Sequence, residues 1–289
     1  MRMRSGVAHR CAVLARRARL ASAGGLLAAG AADAQSAPAG VALRLHPRVG
    51  DTLHTRLEQL TEITSAKPGA SASKPMTTSV VVLARTIVQA SRSATTTVLT
   101  LVDSAEVKSS DAHGAAMAAQ AERALRGQRL IVQLAEDGSV ESARDARGVA
   151  VPRDVAEAMA AMPAVFPRRP VAVGERWHRE MPLPSAGPFG AGGSAQVRAE
   201  FRLDSLGRNG EIAFVSMQGQ IGSDGAQRGL ELSGSMSGAM QVDRARGWMT
   251  DSQFTLLIRS MLTPPAGVGM QPMKFVTKVT QRLRTMDKR

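Results

Sequence analysis

Apolar and polar residues alternate along much of the chain with the period of two that a half-buried strand requires. Leu53, Thr55, Leu57 and Ile63 share one parity, while His54, Arg56, Glu58 and Glu62 share the other. Val197, Ala199, Phe201 and Leu203 alternate with Arg198, Glu200, Arg202 and Asp204. Leu230, Leu232, Met236, Met240 and Val242 alternate with residues such as Glu231, Ser233, Ser235 and Gln241. Trp248, Phe254, Leu256 and Ile258 lie on one parity; Met273, Phe275, Val279 and Leu283 alternate with Lys274, Lys278, Arg282 and Arg284. Strands of this kind belong to an antiparallel sheet with one wet face. Val80–Leu83, Val98–Val102 and Ile212–Val215 are apolar on both parities, which predicts cover on the second face.

Asp137-Gly138, Asn209-Gly210, Asp224-Gly225 and Gly247 supply turns short enough for hairpins. Two helices interrupt the strands. Asp111 is placed to cap one over Ala112–Arg126, with Gly127 as its stop. The other starts at Pro152 and ends near Pro163, with Val155, Met159 and Met162 at helical spacing. Lys67–Pro75 and Pro182–Ser194 read as exposed loops. An open sheet with one apolar face must bury it against something. The expected fold is therefore mainly β, a large curved antiparallel sheet, half-barrel or barrel-like, with one or two covering helices. A two-sheet sandwich is the alternative.

Composition changes the picture at the N-terminus. Arg2, Arg4, Arg10, Arg16, Arg17 and Arg19 precede an uncharged run, Leu20–Ala32, and the small-residue triplet Ala32-Asp33-Ala34. Basic, apolar and small segments in that order form a secretory signal. The expected organisation is a cleavable leader over 1–34 and one β-rich extracytoplasmic domain over 35–289. The apolar run is shorter than the roughly 20 residues of a spanning helix, so no transmembrane anchor is expected after cleavage. Arg16-Arg17 leaves the twin-arginine route open beside the general one. Cleavage would remove six arginines and one aspartate, lowering the net charge from +13 to +8. It would also remove Cys11, the chain's one cysteine, so stability would rest on the core and not on disulfides.

Catalytic constellations do not emerge. Gly190–Ala195 fits G-x-G-x-x-A but lies between a proline-rich loop and a strand, where no helix follows to hold a pyrophosphate. Gly234–Gly238 resembles a nucleophile elbow with Met236 in the nucleophile's place, and alternation turns Met236 inward. His46, His54, His113 and His178 show no metal-ligand spacing, although His46 and His54 could meet across the first turn. The reading assigns no catalytic residue, metal or cofactor, and an enzyme is the least favoured class. With six Phe, two Trp, no Tyr and no basic motif, nucleic acid is not an expected partner.

Phe166-Pro167-Arg168-Arg169-Pro170-Val171-Ala172-Val173-Gly174-Glu175-Arg176-Trp177 is the segment with most individuality. With Leu43-Arg44-Leu45 and Gly50-Asp51-Thr52 it resembles uncharacterised exported bacterial proteins carrying a Phe-Pro … Pro-Val-x-Val-Gly-acid-x-Trp segment. The resemblance implies a short helix before this segment and further hairpins after it, and it implies no activity. Leu53 stands where that family would lead one to expect Tyr.

Curved sheets with incomplete covers make apolar cavities. The leading expectation is a periplasmic or extracellular binding module for a lipid or other amphiphile, with Trp177, Met236, Met240 and Phe254 as candidate ligand-binding residues. For Trp177 core packing is the ordinary role, and methionine fills core gaps as readily as it lines binding surfaces. The alternative is a structural or interaction component of the envelope, docking a protein through an edge strand or the basic Lys274–Arg284 face.

Overall fold

Eleven strands form one antiparallel sheet in the computed structural model, which describes residues 40–67, 71–92, 94–148, 165–182, 195–223, 230–264 and 271–286. They are β1 (Thr52–Ala66), β2 (Met76–Arg92), β3 (Thr95–Ser109), β4 (Arg129–Ala135), β5 (Val140–Asp145), β6 (Arg176–Pro182), β7 (Ala195–Gly207), β8 (Ile212–Ser223), β9 (Leu230–Asp243), β10 (Trp248–Leu262) and β11 (Met273–Met286). Helix α1 (Ala112–Leu125) lies between β3 and β4. The spatial order is β5-β4-β3-β2-β1-β11-β10-β9-β8-β7-β6, so the first and last long strands are central neighbours and β5 and β6 are the margins. The sheet is curved but not closed, and no second sheet stacks on it among the described residues.

Directly paired residues in an antiparallel ladder share a face. Register therefore assigns every side chain. One row runs Trp177, Phe201, Met217, Gly238, Phe254, Gln281, Gln59 and Val80 across β6 to β2. This is the concave face. The expected alternation holds where Met236 is buried and Ser237 exposed, and where Leu57 pairs inward with Leu283 while Glu58 faces Arg282 on the outside; on β10 the register shift at Thr250 breaks it and sets Trp248 opposite Asp243, on the other face from Phe254. The doubly apolar run Ile212–Val215 departs from expectation, because Phe214 faces outward, 36% exposed.

Extra residues Asp103, Asp204 and Thr250 stand at register shifts in β3, β7 and β10. Such bulges bend a strand and sharpen its twist. Asp103 and Asp204 use the extra position to meet Arg85, at 2.9 Å, and Arg202, at 2.6 Å.

Helix α1 forms as its sequence dictates. The Asp111 side chain accepts from Gly114 N–H at 3.1 Å, and Gly127, with φ of 69°, takes the chain out of the helix. It covers the β3 margin below the reach of β4. Glu122 accepts from Val107 N–H at 3.1 Å and Arg126 donates to Ala105 O at 3.2 Å, so side chains replace the missing strand partner. Ala105 and Ala118 are buried at this contact. The second expected helix, over 152–163, lies outside the described residues.

One end of the trough is tied shut by chain far apart in sequence. Residues 40–46 run across it, with Val41 bridged to Val171, Leu45 N–H donating to Glu136 O at 2.9 Å and His46 N–H to Gly247 O at 3.0 Å. Leu43 and Leu45 are buried there. Phe166 N–H donates to Asp137 O at 3.0 Å, joining the β4–β5 turn to the segment that leads into β6. Thus the two margins of the open sheet meet at this end, through loops and not through a ladder.

Candidate functional site

The concave face has a sealed part and an open part. Over β6 to β9, Leu43, Leu45 and Phe166 pack with Trp177, Phe201, Leu203, Val215, Met236, Met240 and Val242 in one buried cluster. Val88, Val98 and Val132 form a smaller cluster near the β4–β5 margin, with Leu134 touching both. Over β1, β2 and β11 part of the same face is only half-buried, at Leu57 and Ile63 on β1, Val80 and Val82 on β2, and Val279 and Leu283 on β11, while Leu53, Val88 and Thr277 are buried. Phe254 and Leu256 of β10 border this strip from the sealed side.

Charge divides the two faces sharply. At concave positions in the ladders of β1–β3 and β7–β11, no described residue is charged. Charges reach that face only on the marginal strands, as Asp145 on β5 and Arg179 on β6. The polar groups of the open strip are hydroxyls and amides: Thr61, Thr277 and the directly opposed Gln59 and Gln281, where Gln59 Nε2 donates to Thr61 Oγ1 at 3.3 Å. The convex face carries the ions. Lys278 pairs with Glu62 at 3.3 Å, and Arg282 and Arg284 both reach Asp251, at 3.1 and 3.6 Å. The basic Lys274–Arg284 face is thus largely answered by carboxylates of β1 and β10.

Of the four expected ligand-binding residues, the structure puts all on the concave side. Trp177 is 7% exposed, stacks on Phe201 with ring centroids 5.6 Å apart, and donates its indole N–H to Val165 O at 2.9 Å. Met240 is buried beside Val215, deep in the sealed part. Met236 is buried opposite Leu256, and Phe254 is half-buried, both at the border of the strip. Val279 was legible as an inward position but not as an uncovered one, and Val80, in a run apolar on both parities, was given no face by its sequence.

The Phe166–Trp177 segment acts as a clasp. The Asp137 carboxylate accepts from Ser139 Oγ at 2.7 Å and lies 4.0 Å from Arg179 and 3.7 Å from Arg168. Burial pushes the Asp137 carboxyl up, but the Ser139 hydroxyl and amide, with both guanidiniums, outweigh it and hold it below the usual carboxylate range. Arg179 also donates to Phe166 O. Glu175 closes the turn at Gly174: it accepts from Ala172 N–H at 2.7 Å and pairs with Arg169, and both lower its pKa.

No metal centre gathers among the described residues. His46 packs on Gly247 while His54 sits on β1 opposite Arg85 and Met286, so the structure gives them separate surroundings. No group of three or more His, Cys, Asp or Glu converges among the described residues. No described helix is long and apolar enough to cross a membrane.

These features define a one-sheet β protein whose concave face, among the described residues, carries charge only on its marginal strands. The model of a family of unknown function, DUF6263, matches residues 152–249, a stretch that contains the clasp and β6 to β9. No curated protein matches the chain in sequence. Among solved structures, lipovitellin, in a study of its lipid–protein interactions, aligns with 84% of this chain and 26% of its own, at 9% identity and a TM-score of 0.47. The chain therefore spans about a quarter of lipovitellin's length. DynF, from the dynemicin biosynthesis pathway of Micromonospora chersina, aligns over 88% of both chains at 11% identity and a TM-score of 0.23. An outer membrane channel from Pseudomonas putida F1 aligns with 84% of this chain and 97% of its own, at 10% identity and a TM-score of 0.24.

Proposed function

We propose that the protein is an exported carrier or binding module that holds the apolar part of an amphiphile against the open strip of its concave face. One observation carries this reading: the strip is apolar, half-exposed and free of charge, on the inside of a curved sheet. Apolar surface left uncovered in a concavity, with few polar groups among it, is the ordinary make-up of a small-molecule site. Phe254 and Met236 flank the ligand in this reading, and Trp177 and Met240 back it as fixed core. The ion pairs of Lys278 with Glu62 and of Arg282 and Arg284 with Asp251 offset part of the positive charge on which the protein-docking alternative relies.

Val279→Asp is the direct test. Val279 is half-buried, so the fold should tolerate a carboxylate there, whereas an apolar ligand cannot without stripping its water. Binding of a neutral fluorescent apolar probe should weaken at least tenfold. Val276→Asp, on the convex face of the same strand, should leave binding unchanged. Equal effects from the two substitutions would remove the concave strip as the site.

Export is supported by the basic, apolar, small order of residues 2–34. Expressed in a bacterium with an envelope, the chain should be recovered outside the cytoplasm with Gln35 as its first residue. N-terminal sequencing that found the arginine-rich start intact on the soluble protein would refute a cleaved leader.

A further inference from the structure

Two hydroxyls on the concave face have no hydrogen-bond partner: Ser260 Oγ on β10 and Thr277 Oγ1 on β11, each in a side chain 4% exposed. They are diagonal neighbours in one ladder, since Ser260 pairs with Phe275 and Ile258 pairs with Thr277. Their other partners in register are apolar, Leu232 beside Ser260 and Ile63 beside Thr277. A buried hydroxyl without a partner is costly and rare in folded proteins, and two side by side mark a place where hydrogen bonds are to be made. Phe275, Leu232 and Ile63, their neighbours in register, are themselves only half-buried.

The pair also has a direction. It lies near the end of β10 and the start of β11, opposite the end that residues 40–46 and the clasp tie shut. From Thr277 to Leu283 the strip continues along β11 for about 20 Å, at roughly 3.3 Å per strand residue. No cation faces the pair in the ladders of β1, β9, β10 and β11. A carboxylate or phosphate would lose its water there without a counter-charge, whereas an uncharged oxygen would lose little and gain two hydrogen bonds.

Resting on the concave-strip reading above, we propose that Ser260 and Thr277 hold the uncharged oxygen-bearing end of a neutral amphiphile, an alcohol or a glyceride ester, with its chain lying toward Leu283. The experiment displaces the neutral probe N-phenyl-naphthylamine with dodecanol, dodecane and ionised dodecanoate, on the mature protein and on a Ser260→Ala, Thr277→Val double variant. Dodecanol should compete about tenfold better than either other chain, the worth of one to two net hydrogen bonds. The double variant should lose that preference and keep its affinity for the probe and for dodecane. Thr277→Ser alone, which retains the hydroxyl, should keep the preference. The double variant removes only unpartnered groups, so its thermal midpoint should not fall. Dodecanol bound equally by both proteins, or dodecanoate preferred, would overturn the hydroxyl anchor and leave the strip standing. Failure of the probe to bind the unaltered protein would overturn both.

Discussion

Phe166→Ala should destabilise the protein by about 3–5 kcal/mol, the range for removing a fully buried Phe side chain. Phe166 is 1% exposed, within the cluster that joins residues 40–46 to the inner face of β6 and β7. A methyl built on Gly138 would stand 3.7 Å from its ring, so the ring lies against the β4–β5 turn. The main chain of the same residue takes a bond from each margin of the sheet: Asp137 O accepts from its N–H, and its carbonyl accepts from Arg179. Loss of the ring leaves a cavity where the two margins meet, and nothing else in the described ladders connects β5 with β6. Urea unfolding would measure the cost. Val173→Ala, in the same segment but at a side chain 53% exposed, should cost under about 0.5 kcal/mol. A Phe166 variant that unfolds with the unaltered protein would show that the clasp does not hold the trough closed.

The contrast between what sequence revealed and what it concealed follows the range of the forces. Alternation is local, and it correctly sorted Leu57 from Glu58, Met236 from Ser237 and Val279 from Lys278. Capping is local too, so Asp111 and Gly127 marked the ends of α1 to within a residue. The clasp is not local. Asp137, a good turn residue for its own reasons, meets Phe166 and Arg179 only because the sheet curls, and no spacing announces it. Nor does any pattern say that residues 40–46 cross the trough, or that β1 finds β11 more than two hundred residues away. Parity turned Met240 and Phe254 inward on their own strands, but which part of the concave face is sealed depends on what crosses above it. Ser260 and Thr277 were the missed signal: two hydroxyls on the inward parity, flanked there by Ile258, Phe275 and Val279.

The second large effect is expected at Gly238, where the sheet's concavity is built into the backbone. A Cβ there would overlap the Gln253 carbonyl of β10 and stand 2.8 Å from the Cβ of Phe254. Gly234, two inward positions earlier, would likewise strike the Leu257 carbonyl, and Gly219 on β8 would come within 3.1 Å of the Arg198 carbonyl. Three inward glycines on neighbouring strands thus mark where adjacent backbones approach most closely, the use that glycine has inside a strand. A carbonyl held in a ladder cannot turn aside as a side-chain tip can. Gly238→Ala should therefore cost about 1–3 kcal/mol, as overpacking does, and should flatten the sheet locally. That change reaches the proposed site, because Phe254 borders the open strip. Gly222, with nothing within 4 Å of its would-be Cβ and no positive φ, supplies the control. Gly222→Ala should be neutral or stabilise by about 0.4–1 kcal/mol, through the unfolded chain's lost freedom. Paired denaturation curves decide the matter: if both alanines leave stability alike, the close approach of β9 to β10 is not what shapes the concave face.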